Sequence, residues 1–146
     1  MSRKTVLLMV LALACLATPA DARDDRLRLP IADVLNSPDA RAKLDPGVQL
    51  YFGRQPYAPP VRRMGVTTQN KKTNFFNKTD VEGCEWAFLS AMISLTEYAQ
   101  KVGGNAVVNI RSNYKNNVFS SETEYECGAG NVTGGTAFVG DVVKLP

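Results

Sequence analysis

Histidine is missing from all 146 positions, so the chain offers no imidazole as a catalytic base or metal ligand. Cysteine is scarce, at three residues, too few for the quartet of a structural zinc site. Long apolar runs are missing too. The longest, Val6 to Ala17, has 12 residues, against the roughly 20 that a permanent membrane-crossing helix needs. Neither charge dominates: 17 basic and 14 acidic side chains leave a net +3, which is not a nucleic-acid binder's balance. There is no G-x-x-x-x-G-K-[ST] loop to cradle phosphates. Gly128 to Gly135 is rich in glycine, but its spacing is wrong for a dinucleotide fingerprint, and a strand rather than a helix follows it. A hairpin loop using glycine for positive φ is the expected reading there. No catalytic residue, metal site or cofactor is assigned.

What is present begins at the N-terminus. Arg3 and Lys4 precede the apolar run, and Thr18-Pro19-Ala20-Asp21-Ala22 ends in a small-x-small pattern, which is the three-part layout of a signal peptide. Cleavage near Ala22 is expected, with export to the periplasm. The alternative is a lipoprotein anchored at Cys15, since Ala14-Cys15 also offers a lipidation site. Residues 1–22 are thus read as the signal, 23–47 as a short helical segment, and 48–146 as an α+β domain. Loss of Arg3, Lys4 and Asp21 leaves a mature charge of about +2.

Cys84 and Cys127 remain as an even pair in a compartment that oxidises thiols, so a disulfide between them is expected. A redox-active pair and two free thiols are the alternatives. Such a bond would close a loop of about 43 residues, worth roughly 4 kcal/mol in the chain-entropy estimate.

Along the mature chain, Arg23 to Arg28 is charged and reads as loose. Pro30 to Leu35 and Pro38 to Leu44 read as short helical turns, the second capped by Ser37. Val48 to Phe52 and Arg62 to Thr68 fit strands, separated by the proline-rich Pro56 to Pro60. The strongest local signal is a long helix. Thr79 and Glu82 have capping-box spacing, and Gly103-Gly104 supplies the stop. Val81, Cys84, Phe88, Ala91, Met92, Leu95, Ala99 and Val102 recur at three- and four-residue steps, with Trp86, Leu89 and Ile93 on a second apolar side. Strands follow at Ala106–Arg111, Glu122–Cys127 and Thr136–Leu145, the last needing a bend near Gly140 to keep Ala137, Val139, Val142 and Val143 inward. The class is α+β: a small antiparallel or mixed sheet packed on one long helix, with short N-terminal helices.

For contact chemistry, the segment Gln69 to Lys78 reads as a loop dense in amides and ammonium groups. Asn70, Lys71, Lys72, Thr73, Asn74, Phe75, Phe76 and Lys78 are its candidate ligand or partner residues, suited to a phosphate, carboxylate or glycan. Glu122, Glu124 and Glu126 lie at period two and would form an acidic stripe on an exposed strand face. Tyr51 and Tyr57 are further contact candidates.

The helix, Gly103-Gly104-Asn105-Ala106-Val107-Val108-Asn109-Ile110-Arg111 and the returning Gly135-Thr136-Ala137-Phe138-Val139 together resemble the YbjQ-like superfamily, to which the RcsF-like periplasmic domains are related. The likeness covers roughly Lys71 to Leu145. A narrower set of small secreted bacterial proteins shares the Asn70–Asn74 and Ser120–Gly130 segments; some carry an excinuclease-subunit name that the residues here contradict. With no catalytic constellation and an export signal, the expected role is a non-enzymatic binding or assembly module of the cell envelope. Its partners would be an envelope protein or polymer and, as in relatives that form rings, further copies of itself, with no nucleic acid and no transmembrane segment. An envelope-stress or redox reporter resembling RcsF is the alternative.

Overall fold

A computed structural model describes residues 22–146; residues 1–21, which hold Cys15 and all but the last residue of the segment expected to be a signal, lie outside the described residues. The chain runs β1 (Asp25–Pro30), α1 (Ile31–Leu35), α2 (Pro38–Lys43), β2 (Gln49–Phe52), β3 (Arg62–Asn74), α3 (Asp80–Lys101), β4 (Ala106–Tyr114), β5 (Asn117–Phe119), β6 (Glu124–Ala129) and β7 (Thr133–Lys144). The class is α+β, but the sheet dominates. Its seven strands run β1-β6-β7-β4-β2, with β3 also on β7 and β5 on β4, and curl around the helix. All pairings are antiparallel except β2 with β4. Among the described residues no helix is long and apolar enough to cross a membrane.

Helix α3 starts where Thr79 Oγ1 accepts the Glu82 amide at 3.1 Å and stops at Gly103, whose φ of +85° is glycine's own territory. Its inner side buries Cys84, Phe88, Met92 and Leu95 against the sheet, and Leu89, on the second side, is buried in the same core cluster as Ile31 and Val34 of α1 and Ala40 of α2. Val81, expected inside, is 47 % exposed. In the core Phe88 packs 4.4 Å from Tyr125 and 5.5 Å from Phe138, ring centre to ring centre, the latter edge-on. Beside them the Cys84–Cys127 disulfide joins α3 to β6 with both cysteines fully buried.

Several expectations are corrected. Arg23–Arg28 is not loose along its length, because from Asp25 onward it pairs with β6 and sets Arg28 opposite Glu126. The acidic stripe is broken for the same reason. Glu126 is only 3 % exposed and lies 3.4 Å from the Arg28 guanidinium, while Glu122 and Glu124 face solvent. Residues 69–74 continue strand β3 instead of forming a loop, since Asn70 to Asn74 stay in register with Ala137 to Thr133. No bend is needed at Gly140. Strict alternation puts Phe138 and Val142 in the main core, and Gly140 makes room for Val107. The irregularity falls instead at Asn109, with φ +50°, where the β4 register slips. That slip lets Val107 and Ile110, three apart, share the core face. Gly128, Gly130, Gly134 and Gly135 are not positive-φ residues; the first, third and fourth lie inside β6 and β7.

Candidate functional site

An open groove of about 420 Å³ lies at one end of the sheet, where the N-terminal described residues meet the end of β3, the β4–β5 turn and the β6–β7 hairpin. Glycine shapes its floor. A side chain at Gly128 would overlap the Tyr114 hydroxyl, and one at Gly135 would overlap the Lys71 carbonyl. The glycines thus permit close approach rather than an unusual backbone turn.

Charge at this end is organised in small clusters. The Arg23 guanidinium bonds Asp25 at 2.7 Å and also Asp80 at the start of α3; these carboxylates, Asp80 first, push its already high pKa further up. Asp24 accepts from Lys115 and, at 2.9 Å, from the Tyr114 hydroxyl, and these bonds hold its carboxyl below the usual range. Burial, then the bond to Asp24, raises the Tyr114 phenol. Arg26 sits 5.5 Å from the Tyr114 ring centre.

Strand register separates the two adjacent lysines. Lys71 lies opposite Thr136, whose hydroxyl donates to the Ala87 carbonyl of α3 at 3.2 Å, so that side of the sheet faces the helix. Lys72, opposite Gly135, and Asn70, opposite Ala137, project on the other side, toward the groove. Arg23 and Lys115 are already paired. Among the described residues Lys72 has no carboxylate within ion-pair distance.

The remaining candidates sit beyond the groove. Thr73 is the last residue but one of β3, and Asn74 Oδ1 accepts the Phe76 amide at 2.7 Å in a tight turn. Lys78 Nζ donates to the Asn74 carbonyl at 3.0 Å. Phe75 is buried against Gly83 and Gly134, whereas Phe76 is 66 % exposed. Tyr51 and Tyr57 pack on each other, 5.7 Å between ring centres. Arg23, Asp24, Tyr114 and Lys115 were not among the sequence candidates. The signal for them was the Arg23–Arg26 charge run together with the lysine-amide turn at Asn113–Asn117.

A second, smaller cavity of about 280 Å³ lies between α1, α2 and α3, with Asp39, Glu82, Glu85 and Trp86 on its walls. The Lys43 ammonium stands 4.6 Å above the Trp86 ring, so the chain supplies its own cation there. Among the described residues no group of three or more cysteine or carboxylate side chains is placed to hold a metal. Comparison of the chain with known protein families, curated proteins and solved structures returns no match.

Proposed function

We propose that the protein is exported to the periplasm and acts there without catalysis, as a binding module of the cell envelope that holds an anionic group in the groove beside Lys72. The observation that carries this reading is the unpaired Lys72 ammonium, next to the Asn70 amide, in an open groove that Lys71 also lines and in which Arg23 and Lys115 are fixed in place by Asp25, Asp80 and Asp24. An ammonium free of carboxylates is ready to exchange its water for a phosphate or carboxylate oxygen. Export rests on the signal-like residues 1–22 and on the disulfide, which fits an oxidising compartment. The helix stop at Gly103-Gly104, the strand from Ala106 and the return through Gly135-Thr136-Ala137 support kinship with the YbjQ/RcsF-like superfamily. Burial of both cysteines favours a structural bond over a redox reporter, because no reductant reaches sulfur without opening the core.

Calorimetric titration with tripolyphosphate tests the reading. Wild type is expected to bind, and Lys72→Glu to bind at least about tenfold more weakly, the scale of losing one charge-assisted contact. Equal affinity in the two proteins would remove the groove from consideration.

A further inference from the structure

Large apolar side chains cluster around this same end of the molecule. Phe76 is 66 % exposed on the β3–α3 turn and Val132 is 61 % exposed on the β6–β7 turn. The two turns touch, since the Phe75 amide donates to the Val132 carbonyl at 2.7 Å. Val81, in the first turn of α3, adds a third exposed apolar group, and the Arg23–Asp80 bond ties that turn to the groove's rim. Thr133 and Gly130, on either side of this tip, line the groove itself. The apolar tip and the cationic groove are therefore one continuous surface.

From this juxtaposition we infer that the anion is presented by a membrane: the groove takes a lipid phosphate while Phe76 and Val132 enter the interfacial layer beside it. This rests on the anion-binding reading and names the source of the anion. The shape favours lipid over a folded partner. Phe76 and Val132 stand exposed on turns and line neither described cavity, so they offer no concavity for another protein's side chain to fill, and a soft interface accepts such side chains without complementary pockets. The charge agrees as well. Asp24, Asp25 and Asp80 are taken up by Lys115 and Arg23, whereas, among the described residues, the exposed Lys72 and the half-buried Lys78, whose ammonium donates to the Asn74 carbonyl, have no carboxylate partner. An anionic bilayer attracts such lysines, and buried apolar side chains supply the part of the binding that salt does not screen.

Co-sedimentation with vesicles tests this, using the exported chain after mass spectrometry has fixed its N-terminus and lipid content. Wild type is expected to pellet with vesicles of phosphatidylglycerol and phosphatidylcholine far more than with phosphatidylcholine alone, and less as salt is raised. The double variant Phe76→Ser/Val132→Ser is expected to lose about tenfold or more in vesicle affinity, in line with removing two apolar anchors, while its tripolyphosphate affinity stays at the wild-type value. Vesicle binding by the double variant equal to wild type, or no preference for the anionic vesicles, would overturn the membrane assignment. Loss of tripolyphosphate binding in wild type would instead defeat the underlying anion reading, so the two failures are told apart.

Discussion

The two sides of this sheet are built to opposite specifications. The side under α3 carries the disulfide, the Phe88–Tyr125–Phe138 cluster and an unbroken apolar contact from Phe75 to Val142. The groove end carries glycine, lysine and short turns, held by charge pairs that water can reach. Surface ion pairs of that kind contribute little net stability because water screens them, so the groove end adds little to folding. The lesson is a division of labour: stability is concentrated on the helix side, which leaves the other end free to keep an unpaired cation and exposed apolar tips.

Perturbations of the helix side should therefore be expensive. Replacing both cysteines, Cys84→Ser with Cys127→Ser, frees a loop of 43 residues, and denaturant unfolding should show a loss of about 4 kcal/mol. A loss below about 1 kcal/mol would mean the buried bond is not what fastens α3 to β6, given the 2–4 kcal/mol typical of such bonds. Next in size is Gly83→Ala. In an open helix this change would stabilise by about 1 kcal/mol, but here the new methyl would lie 2.5 Å from the Phe75 ring, so overpacking reverses the sign and costs roughly 1–3 kcal/mol. Thermal melts decide between the two signs.

The smallest effect is expected at Tyr125, whose side chain is 1 % exposed and whose hydroxyl has no hydrogen-bond partner among the described residues. Tyr125→Phe removes an unsatisfied group and should be neutral or stabilising by up to about 1 kcal/mol. Burial first, then the Glu85 and Asp33 carboxylates, push the Tyr125 phenol well above its ordinary range. Because the native state holds this proton more tightly than the unfolded chain does, its contribution is complete below the ordinary tyrosine pKa of about 10 and is lost as pH climbs above it. Alkaline denaturation of Tyr125→Phe should accordingly begin at higher pH than in wild type.

Local signals predicted the local elements well. The Thr79 cap, the Gly103 stop and the Ser37 cap all mark the ends of helices in the structure. Long-range pairing was less visible. Nothing in Asp25-Arg26-Leu27-Arg28-Leu29 announces that β6 will accept it as a neighbour, and only that register explains a buried Glu126. The groove was half legible. Asn70 and Lys72 stood out as amide and ammonium, but their shared face, and the departure of Lys71 to the other, depends on β3 running on to Asn74. Arg23 and Lys115 come from segments 92 residues apart in numbering and meet only through Asp24 and its neighbours. The glycines of 128–135 carried a visible signal with two physical readings, positive φ and close approach, and the structure selects the second.

The division between the two sides is tested most directly by measuring tripolyphosphate affinity and thermal stability on the same samples of wild type and Lys72→Glu. The account predicts that affinity falls by about tenfold or more while the melting midpoint stays where it was. Unchanged affinity, or a lowered midpoint that accounts for the weaker binding, would contradict it.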